Sequence, residues 1–265
     1  MADLVCENLS MTFENPQTGV KIEALKDINF LLKKGELLSV LGPSGCGKTT
    51  LLNMIAGFLN PTAGKMLLNN KVIEGPGVER GMVFQQGALF EWLTVSKNVD
   101  FGLRMKKTPE SESTKLVNKW LDIVGLQGFG DTPTYQLSGG MQQRVALARC
   151  LVNGPEVILM DEPLGALDAL TREKMQSLIL KLWKETGKTI IIITHSVEEA
   201  LLLGERLFVM APRPGRIHKE YQLPFAGNGL KKSLREIKHE AQFGAVREEI
   251  LSMIWDMEEE IMGGA

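Results

Sequence analysis

Residues 42–49 read Gly42-Pro43-Ser44-Gly45-Cys46-Gly47-Lys48-Thr49. These are the residue types and the spacing of a loop that cradles phosphate. Glycine admits backbone conformations closed to other residues, so successive N–H groups can turn toward phosphate oxygens. A helix opening at the loop's end adds its positive terminus. Lys48 is placed to reach the β- and γ-phosphates and the Thr49 hydroxyl to ligate Mg2+, with Thr50 completing the expected nucleotide-binding segment. Cys46 reads either as a small residue presenting its backbone or as a thiol open to redox control.

A second group of chemical residues lies downstream. Val157-Ile158-Leu159-Met160 is an apolar run that ends in Asp161-Glu162. A carboxylate at the end of a strand beside a phosphate loop can hold Mg2+, which is the expectation for Asp161. Alternation along a strand turns Glu162 away from Asp161. Glu162 is then free to polarise a water for in-line attack. The run at 189–194 repeats the pattern and is followed by His195, a candidate for sensing the γ-phosphate.

These groups need rigid elements to bring them together. The residues at 37–41 are almost wholly apolar, as expected of a strand buried on both faces. Further strands are predicted at 3–9, 23–32, 65–68, 71–73, 82–84, 157–160 and 189–194, and an exposed hairpin loop at 15–19. Helices are predicted at 49–59, 111–124, 139–152 and 170–186. In the last of these Met175, Leu178 and Leu182 mark the apolar face, with Ile179 on its flank. Alternating strands and helices define an α/β fold with a parallel sheet. The helical stretch from about 92 to 153 reads as an insertion. Beyond Pro224 the composition becomes polar. Phe243, Val246, Ile250, Met253 and Met257 then recur at helical spacing, the pattern of an amphipathic helix.

The chain has 265 residues, 44% hydrophobic, with 30 basic against 32 acidic side chains, a formal charge of −2. That composition excludes a disordered chain and gives no sign of a nucleic-acid footprint. Three cysteines are too few for a disulfide framework. No apolar run reaches spanning length and no signal peptide is visible, so a cytosolic protein is expected.

Leu137-Ser138-Gly139-Gly140-Met141-Gln142-Gln143-Arg144, placed shortly before the strand that ends in Asp161-Glu162, closely resembles the signature of ATP-binding-cassette (ABC) ATPases. Gln85 resembles that family's Q-loop glutamine, Gly165-Ala166-Leu167-Asp168 its D-loop, and His195 its switch histidine. Phe13 stands where the family stacks an aromatic ring on adenine, or else it belongs to the core. The resemblance implies a P-loop NTPase cassette with a parallel sheet, an antiparallel β subdomain and an inserted α-helical signature subdomain. The cassette would occupy residues 1–225, and residues 226–265 a C-terminal extension. It also implies a head-to-tail homodimer in which Ser138, Gly139 and Gly140 of one copy face ATP held by the other, with Asp168 at the interface. Gln85 would join Thr49 and Asp161 around Mg2+, and would act with Glu162 and His195 in hydrolysis. Met141 departs from the commoner Gln, with little effect expected.

Segments 73–80, 180–187 and 213–216 resemble the taurine, nitrate and sulfonate importer branch of that family. The resemblance implies a motor at the cytoplasmic face of a bacterial inner membrane, peripheral to two separate permease subunits and indirectly served by a periplasmic or lipoprotein substrate-binding protein. The cargo implied is a small sulfonate-type anion, taurine first, with nitrate and alkanesulfonates as alternatives. Leu89, Phe90 and Trp92, within residues 87–92, would anchor a permease helix, or Trp92 is ordinary core. The C-terminal helix would regulate the motor or pack on its own domain. A soluble cassette ATPase acting on DNA or ribosomes and an exporter subunit are the competing classes.

Overall fold

In the computed structural model, which describes residues 3–85, 88–229 and 231–263, the chain opens with a long hairpin, β1 (Leu4–Glu14) and β2 (Lys21–Leu32). Its turn at residues 15–19 is closed by the Asn15 N–H on Val20 O at 2.9 Å and the Gly19 N–H on Asn15 O at 2.8 Å. Next come β3 (Leu37–Leu41), α1 (Lys48–Ala56), β4 (Ala63–Leu68), β5 (Lys71–Val72) and β6 (Arg80–Val83). Residues 92–153 hold α2 (Val95–Met105), α3 (Glu110–Ile123) and α4 (Gly139–Leu151). Then β7 (Val157–Asp161), α5 (Ala169–Thr186), β8 (Thr189–Ile193), α6 (Val197–Leu203), β9 (Arg206–Ala211) and β10 (Arg216–Gln222) complete the sheets. Three helices follow: α7 (Phe225–Asn228), α8 (Leu234–Lys238) and α9 (Ala241–Gly263).

The strands form two sheets. One is ordered β10-β9-β3-β8-β7-β6. Every neighbouring pair in it is parallel except β10 with β9. The other, β2-β1-β4-β5, is antiparallel throughout. In β8 every residue is buried. Ile191 and Ile193 pack with α1 and the antiparallel sheet. Ile190 and Ile192 pack with α5, α6 and the C-terminal helices. A strand covered on both faces must be apolar at every position, and this one is.

A third cluster, with Val99, Leu103, Val117, Leu121 and Val145 among its members, holds α2, α3 and α4 together. Met141 packs against it, so the departure at that position falls on an apolar contact.

The structure alters three expectations. In α5 the buried residues are Met175, Gln176, Ile179, Leu180, Leu182 and Trp183. Leu178 is the flanking residue and packs between two clusters. Trp183 lies on that buried face, and its indole N–H donates to Gly35 O at 2.7 Å. The predicted strand at 3–9 runs on to Glu14. The polar stretch after Pro224 holds α7 and α8, which bury Phe225, Ala226, Leu234 and Ile237. Phe243, Ile250 and Met257 of α9 share their buried cluster with Leu37 of β3 and Ile179 of α5. The C-terminal helix therefore packs on its own chain.

Candidate active site

The parallel sheet sets the address of the site. The phosphate loop follows β3, Gln85 follows β6, Glu162 follows β7 and His195 follows β8. All four leave the carboxyl edge of the same sheet, where α/β folds place their ligands. A cavity of about 410 Å3 opens there, lined by Ala24, Ser44, Gly45, residues 47–50, Glu162 and His195.

Local sequence explains the loop's shape. Gly45 and Gly47 adopt φ of +77° and +92°, conformations that residues with a Cβ rarely take. A Cβ on Gly45 would meet nothing within 4 Å, so its backbone is open to the cavity. Gly47 also closes on Leu25, whose Cδ2 would lie 2.5 Å from a Cβ there. Gly47 caps α1 without any side-chain hydrogen bond, which leaves the helix's first N–H groups for an anion. Lys48 is 8% exposed. Its Nζ donates to Gly42 O at 2.7 Å and to Pro43 O at 3.1 Å. Cys46 is fully buried, and burial pushes its thiol upward. A buried, protonated thiol is inert, which weighs against redox control of Cys46.

Glu162 is the junction of the site. It lies one residue beyond β7, with φ of +44°. A left-handed turn at a non-glycine residue, rather than strand alternation, re-aims its side chain. Its Oε2 accepts the Gln85 Nε2 amide at 3.1 Å and lies 3.1 Å from His195 Nδ1. Asp161 ends β7, and its carboxyl is raised by burial and by Glu162 and lowered by Lys48. A cation beside Asp161 would relieve that pressure. Among the described residues no cluster of three His, Cys, Asp or Glu side chains could hold a metal unaided. Thr49, Gln85 and Asp161 offer a hydroxyl, an amide and a carboxylate. Such a sparse oxygen set suits Mg2+ arriving with phosphates.

The remaining sequence candidates lie outside that cavity. Ser138 caps α4 by accepting the Met141 N–H at 3.4 Å. Gly139 is open, whereas a Cβ on Gly140 would stand 2.4 Å from Thr171 Cγ2. Gly140 is therefore a packing glycine between α4 and α5 as well as part of a helix terminus. Asp168 caps α5 through Oδ1, which accepts the N–H groups of Leu170 and Thr171 at 3.1 and 3.0 Å. Phe13 sits opposite Ile22 near the hairpin end and is 41% exposed, so it is not core. Trp92 is 80% exposed, which removes its core reading too. Phe90 packs on Trp92 and on Phe101 with ring centres 5.4 and 4.6 Å apart. Gly87, expected at the start of this surface, lies outside the described residues.

Two residues that sequence reasoning passes over face the site. Arg172 donates from Nη2 to Leu167 O at 2.7 Å and from Nε to Leu164 O at 3.4 Å, fastening the segment between Glu162 and Asp168. Glu199 is buried in α6. Its signal was the second of two adjacent acids, Glu198 and Glu199, set directly against the apolar run 200–203.

Residues 25–165 match the family model described as ABC transporter. The chain belongs to the ABC transporter family and has its ATPase cassette fold. It is 75% identical over 263 residues to the taurine import ATP-binding protein TauB of Pelagibacter ubique, covering 99% of both chains. Its identity to the taurine import ATP-binding protein TauB of Escherichia coli O157:H7 is 48%, over 89% of this chain and 92% of that one. Among solved structures, the dimeric post-hydrolysis ATP-binding cassette MJ0796 with ADP and Pi superposes with a TM-score of 0.73. It is 36% identical and covers 83% of this chain and 98% of that one.

Proposed function

We propose that this chain is the ATP-hydrolysing subunit of a taurine importer, acting as a head-to-tail homodimer with two ATP. The hydrolytic reading is carried by the meeting of Gln85 and His195 on Glu162, which with His195 lines a cavity floored by the phosphate loop. The cargo reading is supported by full-length relatives named for taurine import, up to 75% identical. Residues 1–225 form the cassette in this reading, with 92–153 as its signature subdomain and 226–265 as the extension.

The loop N–H groups, Lys48 and the α1 terminus hold the triphosphate, while Phe13 offers its exposed ring face to adenine. Mg2+ bound with the phosphates would sit on Thr49, Gln85 and Asp161 and would neutralise charge on the β- and γ-oxygens. Glu162 polarises the attacking water and takes its proton. His195 turns Nδ1 toward Glu162, which leaves Nε2 for the γ-phosphate. Ser138, Gly139 and Gly140 present the second anion site to ATP on the partner copy, with Asp168 beside them.

No described helix is long and apolar enough to cross a membrane. In this reading two separate permease subunits supply the spans, and a periplasmic or lipoprotein substrate-binding protein delivers cargo to them. The motor then lies on the cytoplasmic face of the inner membrane. The aromatic surface of Phe90, Trp92 and Phe101 would receive a permease segment.

Uptake of labelled taurine, nitrate and alkanesulfonates by a strain deleted for this gene tests the assignment. Loss of taurine uptake, restored by the gene, is expected. Intact taurine uptake with loss of either other anion would overturn the cargo.

A further inference from the structure

Glu199 is 3% exposed, in a helix whose residues 200–203 are all buried and apolar. Its backbone N–H meets the Ser196 cap at 3.3 Å, a bond any residue could make. Its side chain is different. Oε1 has no hydrogen-bond partner among the described residues. An unpaired buried polar atom costs about 1–3 kcal/mol, so a carboxylate here calls for a role beyond packing.

Its surroundings supply one. A cavity of about 330 Å3 is shared by Glu199, Glu162, Arg172, Thr194 and His195. Two chain segments meet at it. One runs from Glu162 to Asp168 and is fastened to Arg172 through the carbonyls of Leu164 and Leu167. The other carries His195, whose Nδ1 faces Glu162.

We propose that Glu199 is a positioning residue whose buried carboxylate, facing Arg172 and His195 across one cavity, sets the charge balance that keeps Glu162 aimed for hydrolysis. This rests on the reading of Glu162 as the base. Burial pushes the Glu199 carboxyl up to about 7, the Thr194 hydroxyl, Arg172 and His195 pull it down, and Glu162 opposes its charge. The nearby cations Lys238 and Arg247 are taken by the adjacent Glu198, at 3.1 and 3.4 Å. The ionised, positioning form of Glu199 therefore grows in as pH rises through neutrality.

ATP turnover of the full chain between about pH 6 and 8.5 tests this. Wild-type kcat should rise through about pH 7. In Glu199→Gln, kcat should fall about tenfold or more with the KM for ATP held within about twofold, and the rise should vanish. Glu199→Asp should recover part of both. A flat wild-type profile overturns the proposal on the unmodified chain. So does a Glu199→Gln variant that keeps the wild-type kcat or the wild-type rise. Glu162→Gln assayed alongside separates the readings: full activity there removes the base, whereas an inactive Glu162→Gln beside a normal Glu199→Gln removes only Glu199.

Discussion

His195 Nδ1 lies 3.1 Å from Glu162 Oε2, joining the ends of two adjacent parallel strands across the mouth of the phosphate cavity. Neither side chain is deeply buried, with 64% and 25% of their surfaces exposed. A polar contact this exposed contributes little to stability. What the contact does is fix the direction of a carboxylate whose backbone is already strained.

Lys48 spans the phosphate loop with two donated hydrogen bonds. Lys48→Ala should weaken ATP binding by about 1.5–3 kcal/mol, the value of a charge-assisted bond. Equilibrium dialysis with labelled ATP reads this directly, and unchanged affinity would remove Lys48 from the phosphate site.

Gly140 has no room for a methyl group beside Thr171. Gly140→Ala should destabilise the chain by about 1–3 kcal/mol in urea unfolding. Thr171→Ala should recover much of that loss if the two helices meet as described. Equal losses in both backgrounds would place the strain elsewhere.

Trp92 is exposed and packs against Phe90. Trp92→Ala should leave the ATPase of the isolated chain unchanged and reduce taurine uptake in cells. Undiminished uptake would move the permease contact off this surface.

Glu199 also sets a trade between stability and rate. Its carboxyl titrates at about 7 in the fold, against an ordinary value of 4.5. The folded chain thus binds this proton more tightly than the unfolded chain. Stability is complete below the ordinary value and declines as pH rises to about 7. Glu199→Gln should therefore be more stable than wild type at pH ~8, by up to about 3 kcal/mol, and similar to it near pH ~4.5. Denaturant midpoints at the two pH values measure it, and a uniformly less stable variant would contradict it.

The sequence carried the chemistry further than the packing. Gly42–Thr49, Asp161-Glu162 and His195 were legible because phosphate binding fixes residue types at short spacings, and the apolar runs of β3, β7 and β8 because strands buried on both faces must be apolar. Tertiary context hid the rest. Leu178 and Ile179 exchange roles in α5, whose buried face also carries Trp183 and its bond to Gly35, 148 residues away in sequence. Glu162 is aimed by a backbone angle no pattern reveals. The helices after Pro224 were obscured because short helices such as α7 bury too few residues to show a period. Glu199 and Arg172 line one cavity only once α5 and α6 are packed on the sheet.

The central claim is that Glu162 is the base of an ATP-sandwich dimer, and one variant tests it most directly. Glu162→Gln should bind ATP, lose about 10²–10⁴-fold in turnover, and run as a dimer with ATP but a monomer without it by light scattering. Adding Ser138→Arg should abolish that dimer while leaving ATP bound. A Glu162→Gln chain that hydrolyses ATP at the wild-type rate and stays monomeric with ATP would contradict the account.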